Sequence, residues 1–133
     1  MQYPEFIHEA KAALGVQSEG EVIDITRAFL HTLTAHLAGN AADNLGAQLP
    51  APLLDIIREV SPEDRDQGER FKLTEFYQRV ADKLGVDAAT GERHTKQFMT
   101  VFRSMVTEGE LHKIKITLSD DYAPLFDGAV TTN

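Results

Sequence analysis

Apolar residues recur at three- and four-residue spacing along most of this chain, the signature of helices that each bury one face. Residues 4 to 14 place Phe6, Ile7, Ala10, Ala13 and Leu14 on one side of a helix, and Pro4 suits its first turn, where a missing N–H has no partner to lose. Gly15 ends it, because freedom at positive φ is what a C-terminal cap requires. A longer helix is predicted from about 20 to 38, with Val22, Ile25, Phe29, Leu33 and Leu37 as its buried stripe and Gly39-Asn40 as its stop. The stretch 41 to 57 predicts two short helices broken at Pro50. Ala42, Leu45 and Leu49 face inward on one, and Leu53, Leu54 and Ile57 on the other.

The pattern then returns. Glu5-Phe6 followed by Leu14-Gly15-Val16 reappears seventy positions later as Glu75-Phe76 followed by Leu84-Gly85-Val86. Thr26, Arg27, Phe29, Leu30, Leu33, Leu37, Leu45 and Leu49 align at an offset of sixty-nine with Thr95, Lys96, Phe98, Met99, Phe102, Val106, Ile114 and Leu118. Self-similarity of this length predicts a duplicated structural unit. The expected architecture is all-α, a bundle of about eight helices built from two pseudo-symmetric four-helix repeats. Repeat one spans about 3–58, a charged linker 59–71 and repeat two about 72–127, and a small polar tail at 128–133 is expected to be disordered. Each half, at under sixty residues, would bury only about 60% of its surface alone, so the two are expected to close into one domain of 133 residues.

One segment pulls two ways. Residues 110 to 118 alternate apolar and polar like a half-buried strand, with Ile114, Ile116 and Leu118 on one face. Their repeat partner, Ala41 to Leu49, is rich in Ala and does not alternate, so a helix is predicted for both.

The Glu-Phe opening, the Leu-Gly-Val cap, the long helix around Phe29-Leu30, and Gln48-Leu49-Pro50 answered by Leu118 through Tyr122 and Leu125-Phe126 carry a likeness. Over roughly 3 to 127 the chain resembles the bacterial domain of unknown function 2267 family. The resemblance implies an all-helical, internally duplicated domain and brings no activity with it. The second copy departs from the pattern where Ser119-Asp120 stands opposite Pro50-Ala51.

Composition narrows the function classes. With 13 Lys plus Arg against 21 Asp plus Glu, the formal charge of -8 repels phosphate backbones, so nucleic acid is not an expected partner. The lack of cysteine excludes disulfides, thiolate nucleophiles and sulfur-ligated metal, and suits a cytoplasmic protein. No signal-like N-terminus and no run of about eighteen apolar residues is present, so no membrane association is expected.

Candidate chemistry is sparse. His31 and His36 lie five apart on one predicted helix, about 140° around its axis, and so do not share an ion; His8-Glu9 is followed by Ala12, which breaks a zinc-helix motif. His94 and His112 sit in polar contexts, and all five histidines are expected at the surface or half-buried. From Asp64 the chain places Asp64, Asp66 and Glu75 at positions 1, 3 and 12 of a calcium loop. Glycine at position 5 and Glu69 at position 6, where the glycine belongs, argue against that loop, and Glu75 reads better as first-turn charge, as does Glu5. No nucleophile elbow, phosphate loop or dinucleotide fingerprint occurs, and Asp120-Asp121 and Glu108 with Glu110 read as turn or cap residues. Phe6, Phe29, Phe76, Phe98 and Phe102 are assigned to the core, and Tyr122 and Phe126 to the core ahead of a docking patch. No catalytic, cofactor-binding or metal-binding residue and no cofactor is assigned. The expected function is a non-catalytic cytoplasmic binding or protein-interaction module, with a protein partner or second copy; the alternative is a small-ligand or metal-ion sensor using the groove between the repeats.

Overall fold

The first helix, α1 (Tyr3–Leu14), closes on Gly15 at φ 68°, whose N–H returns to the Lys11 carbonyl. In this computed structural model, which describes residues 1–127 apart from Gly39, Pro62 and 65–67, seven further helices follow. They are α2 (Glu19–His36), α3 (Ala41–Gly46), α4 (Ala51–Arg58), α5 (Leu73–Leu84), α6 (Ala88–Met105), α7 (Glu108–Thr117) and α8 (Ala123–Asp127). A 3-10 turn at Asp120–Tyr122 leads into the last. The fold is an all-α bundle, with no strand among the described residues. No described helix is long and apolar enough to cross a membrane.

Local chemistry explains most boundaries. Ser18, Asp87 and Thr107 each accept a hydrogen bond from the backbone N–H three residues on, and so cap α2, α6 and α7. Gly85 ends α5 at φ 69°, as Gly15 ends α1. The contested segment is helical. Ile114 and Leu118 are buried while Ile116 is 66% exposed, which a helix produces and a strand with all three on one face does not.

Two expected details are corrected by packing. Helix α2 stops at His36, before the expected Gly39-Asn40 stop, where Leu37 turns extended; there the returning linker pairs with the chain, Gly68 N–H donating to Leu37 O at 2.6 Å and Glu69 N–H to Ala35 O at 3.1 Å. Gly39 itself lies outside the described residues, as does the tail 128–133. On α4 the buried residues are Leu53, Ile56 and Ile57. Leu54 is only half-buried, its Cδ1 lying over Gly46 of α3.

Phe29 stands at the centre of the core, its ring 4.7 Å from Phe98, 5.4 Å from Phe102 and 5.5 Å from Phe76. All five phenylalanines assigned to the core are buried, as are Tyr122 and Phe126. The helices pack crosswise. Helix α1 lies on α6, with Phe6 edge-on to Phe98, and α5 lies on α2, with Phe76 edge-on to Phe29. Helices α5 and α6 also approach each other closely at Gly91, where a Cβ would stand 2.7 Å from the Tyr77 carbonyl.

Candidate functional site

Asp24, Arg27, Ala28 and His31 fall at i, i+3, i+4 and i+7 of α2 and therefore share one stripe of it. Against that stripe come Lys83 and Leu84, in the last turn of α5 before its glycine cap. Together the six residues line an open cleft of about 410 Å³, within the range that small-molecule sites occupy. Buried Ala28 leaves space for it where a longer side chain would fill it.

The charges in the cleft are organised from α4. Glu59, the C-cap residue of that helix, receives Arg27 Nε on Oε1 at 2.8 Å and Nη2 on Oε2 at 3.1 Å, a two-pronged guanidinium–carboxylate pair. His31 Nε2 donates to the Ile56 carbonyl at 2.9 Å, which places a proton on that nitrogen, and lies 3.3 Å from Glu59 Oε1. Asp24 stands 3.8 Å from Arg27 Nη1. The Arg27 hydrogen bonds hold the Glu59 carboxyl below its ordinary range, and Glu59 raises the Arg27 guanidinium in turn. Chemically, the cleft brings the Arg27 guanidinium, the His31 ring and the Lys83 ammonium beside the Asp24 carboxylate, in a chain with net charge -8.

A second polar cluster stitches the linker to the bundle. The Phe71 carbonyl accepts from both His36 Nε2 at 3.0 Å and Tyr122 Oη at 2.8 Å, and the three rings pack together. The Arg79 guanidinium lies 3.8 Å over the Phe71 ring while its nitrogens donate to Glu69 and Glu75. Those hydrogen bonds raise the Arg79 guanidinium and lower the Glu69 carboxyl. Asp121 completes the cluster: its Oδ2 accepts from Leu73 N–H at 2.7 Å, capping α5, whose own N-cap residue is Lys72. Ser119 donates to the same carboxylate, and these bonds hold it low.

The structure separates the five histidines. His8 and His112 are exposed, His94 is half-buried against Gln97, and His31 lines the cleft. His36 corrects the expectation of surface or half-buried histidines: it is 4% exposed, and its Nδ1 has no hydrogen-bond partner among the described residues. In the calcium-loop string, Glu69 and Glu75 serve Arg79, Asp64 accepts from Ser61, and Asp66 lies outside the described residues. Among the described residues no three His, Asp or Glu side chains gather as a metal site.

Sequence reasoning missed Arg27, Lys83 and Glu59 as a group. The spacing of Arg27 and His31 was available as a helical i, i+4 pair, whereas nothing local joins Lys83 or Glu59 to them. None of the three belongs to a catalytic or metal-ligand sequence motif.

A family model described as uncharacterized conserved protein (DUF2267) matches residues 3–125. The chain belongs to that family. No curated protein matches it.

Proposed function

We propose that this member of the DUF2267 family is a non-catalytic, cytoplasmic binding module that takes a small ligand in the cleft between α2 and the end of α5. The observation that carries the reading is the gathering of Arg27, His31 and Lys83 around about 410 Å³ of open space in an acidic chain. Two cationic groups and an imidazole facing open space suit binding an anionic small molecule. The absence of cysteine supports the cytoplasmic setting.

The cleft also accords with reading the chain as two copies, repeat one at 3–58 and repeat two at 72–127, joined by 59–71. Supporting this are equal helix lengths in α1 and α5 and in α2 and α6, matched left-handed glycine caps, and the crosswise ring pairs Phe6–Phe98 and Phe76–Phe29. Thr26 and Thr95 likewise each donate to the carbonyl four residues back, at 2.7 and 2.8 Å. On that reading the ligand sits between the copies, since α2 belongs to one and α5 to the other.

The test is thermal unfolding of the wild-type protein across a metabolite panel, because any ligand favouring the folded state raises the midpoint. Hits that disappear in Lys83→Gln and Arg27→Gln support the reading; hits indifferent to both place binding elsewhere and reject it. A second reading, contact with a protein partner or another copy, is favoured by Ile116, 66% exposed on α7. Ile116→Lys abolishing an association seen by light scattering would favour that reading; unchanged mass would remove it.

A further inference from the structure

A glycine inside a helix forfeits stability unless something requires the missing side chain. Gly46 and Gly91 answer to the packing of this chain, since a Cβ on either would collide with a neighbouring helix, at Leu54 and at Ala81. Gly109, in the first turn of α7, does not: a Cβ there would meet nothing nearer than Thr107 Oγ1, at 4.0 Å, so the residue stands beneath open space. Gly109, His112, Lys113 and Ile116 fall at i, i+3, i+4 and i+7 of α7 and all four are exposed, while Glu110 and Ile114 lie on its buried face. Ile116 is the most exposed large apolar side chain among the described residues, at 66%. Gly20 is as open in the first turn of α2, but two turns on from it stands Arg27, engaged by Glu59. Among the described helices, α7 alone sets an exposed apolar side chain two turns from an open glycine.

A stripe with a knob at one end and a gap at the other is complementary to itself turned end for end. Two turns span about 10.5 Å, so in an antiparallel pair of α7 helices each Ile116 falls on the Gly109 of the other, and the twofold axis passes between positions 112 and 113. Charge agrees with that direction. Exposed Glu108 is the first residue of α7, and Lys113 and Lys115 lie in its second half, so antiparallel contact sets the acidic end of each helix over the basic end of the other and opposes the two macrodipoles. A parallel pair would set Glu108 on Glu108. We propose that α7 is the contact face of a symmetric dimer, on which a second copy of this chain packs antiparallel with each Ile116 seated over the partner's Gly109. This rests on the second reading given above, contact through Ile116, and names the partner and the register. One pair of short helices buries less than the roughly 1,200 Å² of a standard interface, so the dimer is weak and fills only at high protein concentration.

The experiment is sedimentation equilibrium of the full chain from micromolar to millimolar concentration, on wild type, Ile116→Lys and Gly109→Leu, with disulfide trapping beside it. Wild type is expected to dimerise at the upper end of that range. Ile116→Lys and Gly109→Leu should each weaken the dimer about tenfold or more, the scale of losing one buried isoleucine; the second fills the seat from a position open to solvent and leaves the fold intact. Because the chain has no cysteine, a single engineered one reports cleanly. Lys113→Cys, beside the axis, should link copy to copy on oxidation, whereas Glu108→Cys should not link to itself, its two copies lying about 13 Å apart along the helices, beyond disulfide reach. A dimer lost in Ile116→Lys but indifferent to Gly109→Leu, or one that links through Glu108→Cys and not through Lys113→Cys, overturns the antiparallel seat and leaves contact at Ile116 standing. A dimer that survives Ile116→Lys, or a chain that stays monomeric throughout, overturns both.

Discussion

Gly91 offers a sharp test of how α5 and α6 meet. In an ordinary helix interior, Gly→Ala is worth up to about 1 kcal/mol in favour of alanine. Here the added Cβ would stand 2.6 Å from Ala81 Cβ, 2.7 Å from the Tyr77 carbonyl oxygen and 2.9 Å from the Ala81 nitrogen. Carbon atoms prefer about 3.5–4.0 Å, so the two helices must separate by about 1 Å, and two of the three obstacles are backbone that no rotamer change moves. Overpacking of this kind costs about 1–3 kcal/mol. Set against the propensity gain, Gly91→Ala is expected to lose about 1–2 kcal/mol, a fall in Tm of roughly 4–8 °C for a chain of this size. The control is Gly20→Ala in the first turn of α2, where the nearest atom to a new Cβ is Ser18 Oγ at 4.0 Å. It should be neutral or stabilising by up to about 1 kcal/mol. Calorimetry and urea unfolding of both variants decide the matter. A Gly91→Ala protein that melts at or above the wild type would refute the close approach. Adding Ala81→Gly should show favourable coupling in a double-mutant cycle, but only partial, because the Tyr77 carbonyl remains.

Three further predictions follow from single contacts. Gln48 bridges α3's end to α7, accepting from Thr107 N–H and donating to Glu110 Oε1, both at 3.1 Å, and Glu110 is 6% exposed. Gln48→Leu leaves that carboxylate buried without the donor and should cost about 1–3 kcal/mol in urea unfolding; an unchanged midpoint would rule out the bridge. The Asp121 carboxyl is held below its ordinary 3.8, so the folded protein binds fewer protons than the unfolded chain as the pH falls through that region. Stability from this group is full above about pH 5 and lost on acidification through the folded value, and the loss between pH 5 and 3 should be shallower in Asp121→Asn; identical acid curves would dismiss the capping role. All three tyrosines are pushed up, Tyr3 by burial and Glu19 and Tyr77 by burial and Glu92, each to about 12, and Tyr122 by burial and Asp121. Ultraviolet titration should therefore find no tyrosine ionising near pH 10 in the folded protein, and one that does would contradict these placements.

Helical periodicity placed α1 and α2 correctly from the residues alone, and the five phenylalanines at helical spacing in the core, since a 3.6-residue stripe depends only on local spacing. The same is true of the glycine caps, where a positive φ leaves few other residues suitable. Comparison between the halves also overruled the strand-like alternation of 110–118, correctly, because Ile116 turned out to face solvent.

The candidate site was not legible in this way. Arg27 and His31 were visible as neighbours on one helix, but Lys83 is fifty-two residues from His31 and Glu59 belongs to a different helix, so no local pattern links them. His36 was misjudged for the same reason. Its imidazole is buried by Phe71 and Tyr122, which come from the linker and from the far end of the chain. The end of α2 also meets a distant segment, linker amides pairing with the carbonyls of Ala35 and Leu37. Periodicity and caps are properties of a few consecutive residues and survive being read in one dimension. A charge's partner, a histidine's burial and the space beside a glycine are set by which helices cross, and only the packed tertiary structure brings those atoms within reach of each other.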